Sequence, residues 1–166
     1  MNHKRIETLV DGRPFRVWTV VDDATRECPM LLVECSLPGR RIVDALDWLQ
    51  LIRGLPRVIV CDNGPEFVCQ ALDHWAEQHG VTLDFIRPGH PVENCFIESF
   101  NRKLRDECLA IHHFGTLHEA RATIEAWREE YNTERPHSSL GWRTPEGFAG
   151  QWEPENKDTL LTTRRS

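Results

Sequence analysis

Two acids stand out by what surrounds them. Asp62 follows an apolar, β-branched run in VIVCDNGPEF, residues 58–67, and Glu98 lies in ENCFIESFNRKLRDECL; 35 residues stand between the two. A carboxylate where a strand gives way to a helix has two uses. It can cap the helix: Asp62 or Asn63 accepts from backbone N–H groups, Gly64 takes a positive φ, Pro65 suits the first helical position and Glu66 the first turn. It can instead be a hard oxygen ligand. The ten residues alone leave both uses open. Glu98 poses the same choice. With Phe96, Phe100 and Leu104 as the buried side of a helix, Glu98, Asn101, Arg102 and Arg105 fall at spacing 0, 3, 4 and 7 on the opposite side. That arrangement is either a set of ordinary surface ion pairs or an acid presented beside a guanidinium stripe.

Holding such acids in place takes a scaffold, and the pattern supplies one. Phe15 to Ala24 and Met30 to Ser36 are rich in β-branched and apolar residues and read as neighbouring strands. Asp11-Gly12 ahead of them is a hairpin turn, which implies an earlier strand partner. Ile42, Ala45, Leu46, Leu49 and Ile52 follow helical spacing up to Gly54, and Val58 to Cys61 is a short buried strand. Pro65 to His79 reads as a helix stopped by Gly80, with Phe67, Ala71, Leu72 and Trp75 on one face; Val81 to Ile86 is a further strand. The loop RPGHPVEN leads into the Glu98 helix. A last long helix begins near Leu117, with Leu117, Ala120, Ile124, Trp127 and Tyr131 as its core stripe. Strands first, then strand alternating with helix, imply an α/β fold: a mixed sheet with helices on both faces. The tail after about Gln151 is polar and is expected to fray.

Composition narrows the classes. The chain has 166 residues, 40% hydrophobic and 28% charged, which suits one globular domain. No apolar run approaches a membrane span and MNHKRIETLV has no hydrophobic signal core, so a cytoplasmic protein with no membrane partner is expected. The six cysteines form no Cys-x-x-Cys pair, which removes zinc-ribbon spacing; Cys28, Cys35, Cys61 and Cys95 read as reduced core residues. A net charge of -6 argues against a non-specific polyanion binder, without excluding a local basic face.

Taken together, DNGPEF after a strand, the 35-residue interval and RPGHPVENCFIESFNRKLRDECL resemble the catalytic core of DDE-type insertion-sequence transposases, relatives of retroviral integrases. AWREEYNTERPHSSLGWRTPEGF resembles that family's C-terminal signature, and VDGRPFRVWTVVDDATREC its second strand and the preceding hairpin. The resemblance covers roughly residues 11 to 150. It implies an RNase H-like fold and metal-dependent cleavage and joining of DNA strands. In such enzymes three carboxylates hold two divalent cations, Mg²⁺ or Mn²⁺, which makes Asp62 and Glu98 the expected catalytic residues and metal ligands. Arg102, Lys103 and Arg105 are then expected on DNA phosphates, with Asn101 on the same face; Arg87, His90 and Asn94 of the loop are either DNA contacts or parts of a Pro-rigidified connector. Arg135 is expected to pin its loop by pairing with an acid, and His137 to be structural. The implied partners are DNA (element ends and target) and either a second copy or a full-length transposase.

The pattern breaks at one place. The family's first carboxylate stands in a Trp-x-x-Asp strand just before the hairpin, and the residues ahead of Asp11 hold neither a Trp nor an Asp. Glu7 reads as a solvent-facing strand residue, and Asp22-Asp23 as a strand-end turn whose carboxylate caps backbone donors. The expectation is therefore an N-terminally truncated core over residues 1–150 with its first strand missing, an unpaired sheet edge on residues 15 to 24, and a disordered tail over 151–166. Such a chain, by itself, is expected to have little or no strand-transfer activity. The alternative is a non-catalytic remnant that keeps the fold and weak nucleic-acid or partner binding.

Overall fold

The β-branched run after Pro14 pairs on both edges, and the sheet grows outward from it. The computed structural model describes residues 7–61, 69–86, 95–151 and 160–165. Strands β1 (Glu7–Thr8) and β2 (Pro14–Asp22) form the hairpin announced by Asp11-Gly12: Arg13 N–H donates to the Asp11 carboxylate at 3.0 Å and Gly12 takes φ 83°. Then follow β3 (Met30–Glu34), α1 (Gly39–Arg53), β4 (Val58–Cys61), α2 (Gln70–His79) and β5 (Thr82–Phe85). The remainder is α3 (Cys95–Leu104), a π turn over Arg105–Leu109, α4 (Leu117–Glu134), a 3₁₀ turn at Ser138–Leu140, α5 (Pro145–Ala149) and β6 (Leu160–Arg165).

β2 pairs antiparallel with β1, β3 and β6, whereas β4 pairs parallel with β5 and β6. β6 thus lies between β2 and β4, joining the antiparallel part of the sheet to the parallel part. Alternation along β2 sends side chains to two cores. Val17 and Val21 join Ile97, Phe100, Leu104, Ile124, Trp127 and Tyr131 beneath α3 and α4. Trp18 and Val20 join Ile42, Leu49, Ile59, Leu72, Trp75 and Leu161 beneath α1 and α2. Helices cover both faces, as the pattern implies. Among the described residues no helix is long and apolar enough to cross a membrane.

Polar contacts fix the layers. Trp75 Nε1 donates to Asp47 at 2.6 Å, tying α2 to α1. The buried Asn132 on α4 accepts from Cys28 N–H and donates to Cys28 C=O, both at 2.9 Å, which anchors the long helix to the segment ahead of β3. Thr116 caps α4 by accepting from Glu119 N–H at 3.1 Å. The stripe read for α4 is the observed one: Ala120, Ile124, Trp127 and Tyr131 are buried, with Leu117 packed at its end.

Two expectations fail here. Residues 160–165 do not fray; they form the strand at the centre of the sheet, so residues 18–22 of β2 have a partner on that edge. The physical reason is that a buried ladder of unpaired N–H and C=O groups costs more than the polarity of a Leu-Leu-Thr-Thr segment, and Thr packs well on a pleated surface. Cys35 is also exposed rather than in the core, while Cys28 and Cys61 are buried as read. The expected start of α2 at Pro65, with Phe67, lies outside the described residues.

Candidate functional site

α3 presents its residues one step out of the phase read from the sequence. Ile97, Phe100, Asn101 and Leu104 are the buried side, and Phe96 is 44% exposed. The cause is the turn after β2. Arg26 adopts φ 63° and lays its guanidinium over the Phe96 ring, 3.2 Å from the centroid. Phe96 is thereby covered by a cation at the surface, and Ile97 takes the core position.

The shift changes the standing of Asn101. It was expected to face outward toward DNA; it is 6% exposed, and its Oδ1 accepts from the Thr19 hydroxyl at 2.9 Å. Thr19 is itself fully buried in β2, so the amide satisfies a polar group that would otherwise be orphaned. Asn101 is therefore a bond between helix and sheet rather than a DNA contact.

Glu98 keeps the place expected of it. It lies in the first turn of α3, half-buried, and Arg102 and Arg105 follow at four and seven residues on the same flank, both exposed. Arg105 opens the π turn, in which Ala110 N–H donates to Arg105 C=O at 2.8 Å. Lys103 is exposed too, but it stands seven residues after Phe96 and so falls on the opposite flank, with Arg26. There it helps form a second cationic group. Burial, and then the neighbouring Lys103, Arg26 and Arg135, hold the His137 imidazole below its usual 6.5.

Arg135 does pin its loop. It pairs with Glu107 and, at 2.9 Å, with Glu130. His137 packs edge-on against Tyr131, with ring centroids 5.1 Å apart. Asp22 behaves as a turn acid: its Oδ1 accepts from Ala24 and Thr25 N–H at 2.9 and 3.2 Å, and Arg53 approaches it at 3.5 Å. β4 ends at the buried Cys61, opposite Thr163 of β6. Asp62, Arg87, His90 and Asn94 lie outside the described residues.

The sequence reading missed one buried acid. Asp23 accepts from the Thr162 hydroxyl at 2.8 Å, and its other carboxylate oxygen has no hydrogen-bond partner among the described residues. Burial raises its pKa from 3.8. Thr162 lies opposite Val21, so this pair is on the sheet face covered by α3. The Asp22-Asp23 doublet was the available signal, but nothing local tells that a C-terminal strand covers the second acid.

Known proteins match this geometry. The Integrase core domain family matches residues 5–91 and again residues 79–145. The chain is 47% identical over 146 residues to the insertion element IS407 uncharacterized 31.7 kDa protein of Burkholderia multivorans, covering 88% of this chain and 53% of that one. It is 44% identical over 155 residues to the insertion element IS476 uncharacterized 39.2 kDa protein of Xanthomonas euvesicatoria, covering 93% of this chain and 45% of that one. The chain thus spans about half the length of these relatives. Among solved structures, the simian T-cell lymphotropic virus intasome in complex with PP2A regulatory subunit B56 gamma aligns at TM-score 0.71 and 14% identity, over 90% of this chain and 53% of that one. The HTLV-2 integrase catalytic core domain in complex with magnesium aligns at TM-score 0.63 and 14% identity, over 84% of this chain and 88% of that one. The fold is accordingly RNase H-like, and the chain belongs to the integrase core domain family, as a DDE-type insertion-sequence transposase.

Proposed function

We propose that this chain acts in DNA transposition as the catalytic core of an insertion-sequence transposase, with Asp62 and Glu98 as its catalytic and metal-binding carboxylates. The observation that carries this reading is Glu98, half-buried in the first turn of α3 with exposed Arg102 and Arg105 on its own flank. The donor chemistry fits a hard divalent cation such as Mg²⁺ or Mn²⁺, because carboxylate oxygens are the ligands such ions prefer. When bound, the metal supplies activation of the attacking oxygen and stabilisation of the leaving oxygen during in-line displacement at phosphorus. The chain's own residues do the rest. Arg102 and Arg105 hold a phosphodiester against the Glu98 flank, and their fixed charge offsets the net -6 of the whole molecule where DNA approaches. Lys103, on the other flank with Arg26, meets a second stretch of backbone. Arg87 and Asn94 of the loop ahead of α3 are assigned to DNA as well. Two copies are needed to hold two element ends, so self-association, or pairing with a longer transposase, belongs to this reading.

The chain alone is expected to join DNA poorly. The strand beside β4 presents Thr162 and Thr163, two hydroxyls and no carboxylate, where the resemblance calls for a third acid. This same observation favours a second reading, in which the chain is a non-catalytic remnant that keeps fold and partner binding. Titration with Mn²⁺ separates the two. Under the first reading the purified chain binds Mn²⁺ and Glu98→Gln weakens the affinity by at least roughly 10-fold, the lower end of what outer-shell changes at metal sites cost. Binding unchanged by Glu98→Gln would leave only the remnant. Robust Mg²⁺-dependent joining of DNA ends, abolished by Asp62→Asn, would refute the expected inactivity.

A further inference from the structure

β2 offers two edges, and its hydrogen bonds show which strand uses which. Asp22 N–H donates to Glu27 C=O at 2.8 Å, so the even-numbered residues of β2 turn their backbone groups toward β3. Leu9 N–H donates to Arg13 C=O at 2.9 Å, so the odd-numbered ones face β1. β3 and β6 both pair with Trp18, Thr19 and Val20 and must therefore lie on opposite edges. It follows that β1 and β6 share one edge of β2, β1 along Pro14–Phe15 and β6 along Trp18–Asp22. Both run antiparallel to β2, so both point the same way, which is also the direction of β4.

A strand continuing β1 toward the N-terminus would thus run into the ground that β6 holds. With Glu7 opposite Phe15 and Thr8 opposite Pro14, the same register sets position 4 opposite Trp18 and position 1 opposite Val21. β6 sets Arg165 opposite Trp18 and Thr162 opposite Val21. The channel between β2 and β4 is one strand wide, because β6 pairs with both walls at once. β6 fits that channel well by backbone and less well by side chain: the buried Thr163 hydroxyl has no hydrogen-bond partner among the described residues. Its connection is also the longer one. Residues 152–159 separate it from the rest of the fold, whereas a β1 extension is closed by the tight Leu9–Arg13 turn, and a shorter closure costs less chain entropy.

We infer that the channel between β2 and β4 is a strand-acceptor site for which β6 and a β-strand continuing β1 toward the N-terminus compete, and that β6 is released when such a strand enters. The chemistry of the occupant is set by the walls: six residues, β-branched or small where they face the two cores, antiparallel to β2. Thr163 stands opposite Cys61, the residue before Asp62. Whichever strand fills the channel therefore supplies the side chains at that end of β4. This inference does not depend on the metal reading, since it concerns pairing alone.

The test uses the full chain with the β6 sequence given a second time. Leu-Leu-Thr-Thr-Arg-Arg is placed directly ahead of Arg5, where the β1 register sets its last Arg opposite Trp18. The two competing strands are then chemically identical and differ only in connection. Hydrogen exchange is read by mass spectrometry. In the parent chain the amides of Leu161–Arg165 should be protected. In the grafted chain that protection should pass to the new segment, while Trp18–Asp22 and Val58–Cys61 stay protected. Retained protection of Leu161–Arg165 in the grafted chain overturns the inference, as does free exchange of these residues in the parent. A second form guards against a graft that fails to fold. Val20 and Thr163 face each other in a non-hydrogen-bonded pair, where Cβ atoms approach closely, so Val20→Cys with Thr163→Cys can staple β6 in place. The stapled, grafted chain should keep Leu161–Arg165 protected until a reductant is added and lose that protection afterwards. No change on reduction overturns the inference irrespective of how the unstapled graft behaves.

Discussion

β4 and β6 lie side by side, run in the same direction and are buried to the same degree, yet only one of them looks like a strand. β4 is VIVC, a β-branched run that no helix or loop pattern explains better. β6 is LLTTRR, half of it polar or charged, at the end of a polar segment. The difference teaches that a central strand can be specified in two ways. β4 is specified by its own residues, whose apolar side chains enter the core beneath α1 and α2 through Ile59 and Cys61. β6 is specified by its neighbours, whose facing edges leave room for one strand and whose backbone groups need partners.

The largest test of that contrast removes β6. A chain ending before Leu160 loses pairing along Trp18–Asp22 and Val58–Cys61 together, so the two parts of the sheet come apart. The expected cost exceeds about 4 kcal/mol, a large share of the roughly 5–15 kcal/mol that holds a typical domain. The cooperative thermal melt seen by circular dichroism should disappear. A truncated chain that melts cooperatively at the parental temperature would mean that β6 contributes nothing beyond its position.

The next test concerns the two ways in which α3 meets the sheet and the surface. Ile97→Ala should destabilise by about 2–5 kcal/mol, as for other fully buried aliphatic residues, whereas Phe96→Ala should cost about 1 kcal/mol through loss of the Arg26 contact. Denaturant titration of both variants checks the order. The reverse order would restore the helix phase that the sequence pattern suggested.

The two threonines of β6 give a finer contrast. Thr162→Val removes the donor to Asp23 and should destabilise by about 1–3 kcal/mol at neutral pH, because a buried carboxylate is left with less support. Thr163→Val removes a buried hydroxyl with no hydrogen-bond partner among the described residues and should leave stability unchanged or raise it by about 1 kcal/mol. Equal losses for both would argue that packing, rather than hydrogen bonding, sets the fit of β6.

The smallest effect is one of pH. Burial raises the Asp23 pKa above 3.8, so the folded chain holds this proton more tightly than the unfolded chain does. The stability it contributes is complete below 3.8 and is lost as pH rises through the folded value. Asp23→Asn should therefore raise the melting temperature near pH 7 and give no gain near pH 3. His137 has the opposite sense. Its lowered pKa favours the folded chain above 6.5, and that advantage falls away as pH drops through the folded value. A His137→Gln chain should show a shallower loss of stability on mild acidification.

Most of this molecule is written locally. The hairpin at Asp11-Gly12, β2 to β5, α1 and α4 follow from periodicity and from turn residues, because each of these elements buries a face that its own sequence marks as apolar. The Integrase core domain family was also legible, from motifs that agree in order and spacing. Glu98 with Arg102 and Arg105 could be read from helical spacing alone. Three things could not. Whether Phe96 or Ile97 enters the core depends on Arg26, which stands 70 residues earlier and covers the first of them. Whether Asn101 faces solvent or the sheet depends on Thr19, a buried hydroxyl in need of an acceptor. And β6 depends on a channel formed by two strands that are remote from it in sequence. Local sequence determines which face an element can bury. Only the tertiary structure decides which polar groups must be satisfied across a long sequence separation, since that demand arises when the partner is already buried.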